Sequence, residues 1–220
     1  MTPVQTIETE GGLQSFADWI QKNSRLVGIG AALVVVGALG LWFYMRSGEI
    51  KRQNAERGLT QAKQSLAAGN PALALTDLER VATRYRGTSA GAQSAMMLAQ
   101  LHYDAGRFAE GVQVLDPYQT ESAAGPNLAA VWSLTADGHM GQNNPDGGAA
   151  AYQRAAGATT LPGESAMYEA KSARALMAAG KLDEARDVWQ RLLDDPKAVN
   201  VHGEAEIRLG ELTARTAGQG

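Results

Sequence analysis

The sequence predicts an all-α chain: one N-terminal transmembrane helix, then a solenoid of about four helical hairpins and a capping helix. Three observations carry that expectation. Leu26 to Met45 form an apolar run with no charged, Asn, Gln or Pro residue, bounded by Arg25 and Arg46. Roughly 20 apolar residues, each rising about 1.5 Å along a helix, are enough to cross a hydrocarbon core. Beyond the run the chain is rich in Ala, Leu, Glu, Arg and Gln and is punctuated by Gly, Asn and Pro, the composition of helices joined by short turns. That later part also matches itself at a constant offset of 37 residues.

Residues 1–25 read as a tail and juxtamembrane segment, with Trp19, Lys22 and Arg25 marking the near boundary of the span. In the span itself, residues 26–45, Leu26, Val27, Ile29, Leu33 to Val36, Leu39, Leu41 and Phe43 each favour the bilayer centre and together outweigh the glycines. Trp42, Phe43 and Tyr44 stand at the far end, where amphipathic rings settle at headgroup depth. A cleaved signal would have a shorter apolar core followed by small residues, so this run reads as a retained anchor. Gly28 with Ala32 and Gly30 with Gly37 permit close approach of another helix, and a plain lipid-facing anchor explains them equally. Trp19, Leu26, Gly30, Gly37, Trp42 and Tyr44 are therefore the candidate anchor positions. Lys22 and Arg25 precede the span, whereas Arg46, Lys51, Arg52, Arg57 and Lys63 follow it, a count that by itself keeps the C-terminal part in the cytoplasm.

Residues 46–54 read as a juxtamembrane connection and 55–220 as the repeat domain. Gly69, Gly106, Asn143 and Gly180 fall at the offset of 37, and Gly and Asn accept the left-handed conformation that ends a helix. Seven residues before each turn stand Ala62, Ala99, Ala136 and Ala173, and seven earlier Ala55, Ala92, Ala129 and Ala166. Leu66, Tyr103, Met140 and Met177 precede each turn by three, which gives every first helix an inward face. In the second helices, small Ala74, Gly111, Gly148 and Ala185 are followed by Leu78, Leu115, Tyr152 and Trp189, then by Val81, Tyr118, Ala155 and Leu192. Small positions let each pair close, large positions fill the gap to the next pair, and three or more hairpins are needed to hide the apolar faces.

This pattern resembles the tetratricopeptide repeat. Ala173, Gly180, Leu182, Glu184, Ala185, Trp189, Leu192 and Pro196 nearly complete that motif in the fourth unit, and Leu98, Ala99, Gly106, Phe108, Glu110 and Leu115 are similar in the second. The first and third units depart from it with Asn70-Pro71 and Asn144-Pro145 at the turn, and the period exceeds the usual value of about 34. Glu204 to Arg215, with Leu209 and Gly210 where a fifth first helix would put them, reads as a cap with a polar outer face. The whole layout, with Phe16, Trp19, Ile20, Lys22 and Asn23 before a single span and Trp42 and Tyr44 after it, resembles the membrane-anchored ancillary subunit of the bacterial Sec translocon. The resemblance implies an inner-membrane protein with a periplasmic array that touches the translocon and chaperones of exported proteins, against the charge count.

No catalytic constellation emerges. His102 and His139 share one repeat position, but its other members are Ser65 and Leu176, so packing explains them better than a metal site. Ser165 lacks the second glycine of a nucleophile elbow, and Asn143 to Gly148 lack the lysine of a phosphate loop and the spaced carboxylates of a calcium loop. With no cysteine there is no disulfide or thiolate-metal framework, and a net charge of -3 with mixed signs gives no basic stripe for nucleic acid. No cofactor, metal or small-molecule substrate is expected. Stacked as in tetratricopeptide arrays, the first helices line the concave face with Met96, Tyr103, Met140, Met167 and Met177, and with Lys63, Gln100, Asp137 and Arg174 at one polar position. Flexible thioethers suit a groove that accepts varied apolar segments, but methionine at helical spacing more often serves as core filler, and a solvated face explains the polar position equally. The expected function is a non-catalytic, membrane-anchored scaffold for other proteins, read as a translocon-associated chaperone-like subunit; the alternative is a fixed accessory subunit of another inner-membrane complex, respiratory or photosynthetic.

Overall fold

The computed structural model describes Trp19 and residues 21–217. It divides into two compact units, Met1–Ile50 and Lys51–Gly220. Among the described residues every regular element is helical.

Helix α1 (Ser24–Ala67) contains the apolar run and continues through residues 46–54, so that connection is helical. Its first part is apolar and long enough to cross a membrane, with a stretch of mean hydropathy 1.9, none of it buried. Ile29, Leu33 to Val36, Leu39, Leu41, Trp42, Phe43 and Met45 are all exposed, as is Trp19. A Cβ at Gly28, Gly30 or Gly37 would meet nothing within 4 Å. The side chains of Leu26 and Tyr44 lie outside the described residues, as do Phe16 and Ile20.

In the second unit the hairpins follow the offset. The end of α1 pairs with α2 (Pro71–Arg84), α3 (Ser89–Asp104) with α4 (Phe108–Leu115), α6 (Leu128–Gly141) with α7 (Pro145–Ala158), and α8 (Pro162–Ala178) with α9 (Leu182–Asp194). A short α5 (Glu121–Ala124) lies between the second and third hairpins, and α10 (His202–Ala217) closes the array. All four turn residues adopt the left-handed conformation, with φ of 73° at Gly69 and Gly106, 56° at Asn143 and 78° at Gly180. Each ends its first helix by turning the backbone where a β-carbon is tolerated only by Gly or, at modest cost, by Asn.

The small columns are the tightest part of the core. Ala62, Ala99, Ala136 and Ala173 are all fully buried, as are Ala74 and Ala185 and the large Leu78, Leu115 and Trp189. A Cβ at Gly111 would strike the Tyr103 ring, and one at Gly148 would lie 2.6 Å from Met140 Sδ, so each glycine receives the large side chain of its own first helix. Hairpins are joined by buried hydroxyls. Tyr118 donates to Ala82 O in the preceding unit, Tyr103 to Leu134 O in the following one at 3.1 Å, and Ser172 Oγ to Ala149 O at 3.0 Å.

The second hairpin departs from the regular pattern. Its second helix has 8 residues against 14, 14 and 13 in the others. Pro117 has no N–H to offer Gln113 O, so α4 gives way to a 3-10 turn at Asp116–Tyr118. Tyr118 still fills its core position, 2% exposed.

Candidate protein-interaction surface

The first helices α1, α3, α6, α8 and α10 present one side chain row after another to a common face, and the offset decides which residues meet there. Over α6, α8 and α10 this face is a network of paired charges. Asp137 on α6 accepts the Tyr152 hydroxyl and lies 3.7 Å from Lys171 Nζ on α8. That ammonium also donates to Ser133 Oγ at 3.3 Å and sits 5.1 Å from the Tyr152 ring centroid. Arg174 on α8 reaches Glu204 on α10 at 3.4 Å. Glu204 also meets Arg208 at 3.7 Å, and Arg208 meets Glu211 at 2.9 Å. All of these side chains are partly exposed, so each pair contributes at most about 1 kcal/mol. Their effect is to neutralise the face before any partner arrives. Over α1 the corresponding positions hold Glu56 and Lys63, exposed and without ion pairs among the described residues.

Burial sorts the proposed face residues into two groups. Tyr103 is buried and wedged between hairpins, its hydroxyl spent on Leu134 O; burial pushes its phenol above the ordinary range, with Asp137 and Asp116 adding to the shift. Met96, Met140 and Met177 are half-buried and pack against the core clusters. Met167 is the exposed thioether, at 42%. Lys63, Gln100 and Arg174 are exposed and Asp137 half-buried, Gln100 donating to Asp104 at 2.8 Å. Sequence reasoning does not single out Lys171, Glu204, Ile207, Arg208 and Glu211. The signal is nevertheless present in the offset, since Glu211 stands 37 residues after Arg174, and Arg208 37 after Lys171. Ile207, one helical turn from both Glu204 and Glu211, is 63% exposed.

Most of the remaining chemical candidates have structural partners. His102 Nδ1 accepts from Arg107 Nε at 3.2 Å, while His139 packs beside Gly147 with a buried, unpartnered Nδ1. Ser165 Oγ donates to Ala156 O at 3.1 Å, pinning the start of α8 to α7. Asn144 caps α7 by accepting from Gly147 N at 3.1 Å, and Asn70 caps α2 by accepting from Leu73 N at 3.2 Å. Both asparagines precede a proline at the first helical position, where its missing N–H is no loss. No group of three His, Asp or Glu side chains among the described residues is placed to hold a metal.

A stack of antiparallel hairpins with small residues at the crossings and a continuous face of first helices defines a tetratricopeptide-type interaction scaffold. The chain belongs to the tetratricopeptide repeat-like domain family, whose profile matches residues 17–214. Among solved structures it is similar to a variant of the nearly identical tetratricopeptide-like repeats assigned to a kinesin light chain of Podosopora anserina, with 18% identity, a TM-score of 0.51, and coverage of 76% of this chain and 97% of that one. At that identity the likeness is one of fold. No curated protein matches the chain.

Proposed function

We propose that the chain is a non-catalytic scaffold anchored in the bacterial inner membrane by Leu26 to Met45, with its repeat array on the periplasmic side. There it serves as a translocon-associated, chaperone-like subunit that binds segments of exported proteins or their chaperones. The periplasmic placement and the translocon rest on the layout resemblance. The binding mode rests on one observation, the exposure of Met167 and Ile207 beside a face whose charges already neutralise one another. Such a face has little to offer a single highly charged partner. It suits transient contact with varied apolar segments, because the apolar side chains stand free and the ion pairs need not be broken.

The test uses the full chain in mild detergent with a photocrosslinker on the array. Met167→Lys together with Ile207→Lys should cut crosslinking several-fold while leaving the helical signal and unfolding midpoint unchanged, since neither side chain is core. Unchanged crosslinking removes this face from consideration. Recovery of one constant partner at fixed stoichiometry replaces the client-sampling role with that of a fixed accessory subunit. A C-terminal reporter active only in the periplasm decides the orientation.

A further inference from the structure

The two edges of the array differ in chemistry. Turns inside the hairpins place Asn70, Arg107, Asn144 and Lys181 at the starts of the second helices, a polar edge. Turns between hairpins present Leu161 and Val199, 63% and 67% exposed, with Pro126 and Pro162 also exposed. Leu161 and Val199 stand on neighbouring turns: Asn200 Nδ2 donates to Gly163 O at 2.9 Å, joining the two turns within two residues of each aliphatic side chain. Single apolar groups on a surface are ordinary, whereas exposed ones repeated on consecutive, joined turns mark one edge as apolar. The chain also enters the array at this edge. Lys51 is the first residue of the unit, and its Nζ donates at 2.7 Å to Arg86 O, in the turn that leads to α3.

We propose that this edge rests in the lipid headgroup region, with Leu161 and Val199 dipping into the interface. The inference rests on reading Leu26 to Met45 as a membrane anchor. Lys51 stands five positions after Arg46, and five residues reach at most about 18 Å along any path. The entry corner of the array is thus tethered close to the boundary, and the turns sharing its edge are the surface available to meet lipid. Two aliphatic side chains bind a bilayer weakly by themselves. Tethering makes the contact intramolecular, so a weak contact is populated without further affinity. The edge carries a small positive excess, with Lys51, Arg52, Arg86 and Lys197 against Glu121 and Asp195, while Glu164 is turned inward to accept from Tyr168 at 3.2 Å. Uncharged phosphatidylcholine therefore isolates the contribution of the two aliphatic side chains.

The chain has no cysteine, so single-cysteine variants report cleanly. Full-length Leu161→Cys, Val199→Cys, Leu73→Cys and Val35→Cys, each carrying an environment-sensitive fluorophore, are reconstituted in phosphatidylcholine vesicles containing headgroup- or chain-labelled nitroxide lipid. Leu73, exposed in the first turn of α2, samples the polar edge. Positions 161 and 199 should be quenched by headgroup nitroxide several-fold more than position 73, and position 35 by chain nitroxide. Quenching at 35 with 161 and 199 no different from 73 overturns the edge contact and leaves the anchor standing. A blue shift at 161 and 199 without nitroxide quenching assigns the pair to a protein contact and overturns lipid as the occupant. Absence of quenching at 35 overturns the anchor and the edge contact with it.

Discussion

A Cβ at Gly111 would fall on the Tyr103 ring and 2.9 Å from Ala99 O, in a place where the backbone cannot retreat. Gly111→Ala should therefore lower the unfolding free energy of the array by about 1–3 kcal/mol, read by urea denaturation; a wild-type midpoint would mean that Tyr103 can swing aside. Asn144→Ala removes one helix cap and should cost about 1 kcal/mol by the same measurement. Asp77 predicts the opposite sign. It is buried where the offset places Val114, Ala151 and Val188, with one oxygen on Arg80 at 2.6 Å and Oδ2 unpartnered. Asp77→Val should be neutral or stabilising, because a half-satisfied buried carboxylate gives way to the side chain its neighbours in the repeat already use. Alkaline stability is set by tyrosines. Burial pushes the Tyr118 phenol up to about 12 from its ordinary value near 10, with Arg86 opposing the rise, and burial likewise raises Tyr168 to about 12. The folded state keeps the neutral form, so the contribution is whole below pH 10. Between about 10 and about 12 only the unfolded chain gives up its proton, and stability falls. Tyr118→Phe should make that decline shallower in a pH series of thermal melts.

Elements inherit their lengths from such residues. Pro117 stops α4 early, yet Tyr118 reaches the core from a 3-10 turn because the hydroxyl bond to Ala82 O and the apolar pocket hold it there. The cap shows the converse. Gly203 and Gly210 continue the small columns of the first helices, but a Cβ on either would meet nothing within 4 Å. Small residues at those positions exist to receive a second helix, and α10 has none following it among the described elements. Its buried side is Ala205 and Leu212 instead, set against the cluster that contains Trp189 and Leu192. Removing α10 should thus speed amide exchange in α8 and α9 while leaving α2 and α3 at wild-type rates, since each repeat is supported by its neighbours alone. Uniform acceleration through the array would indicate a single cooperative core.

For the whole molecule, the apolar run and the array obey different rules of burial. Among the described residues the run exposes almost every large apolar side chain it has. The array hides its own behind alanines. That contrast is the one expected if the run sits in lipid and the array in water, as proposed above, and reconstitution in vesicles reads both.

Periodicity by itself determined the helical hairpins, their turns and the identity of the buried columns, because a left-handed turn and a helix crossing admit few residue types and repeat them at each unit. Periodicity did not reveal which repeated positions stay open. Met140 and Tyr103 occupy the same column, and the packing of Gly148, Gly111 and Gly138 around them takes both largely out of solvent. Arg174 and Glu204, distant in sequence, become an ion pair because consecutive first helices lie side by side. Burial and charge pairing depend on the neighbouring hairpin, so only the tertiary structure decided which part of the repeated face is left free to bind.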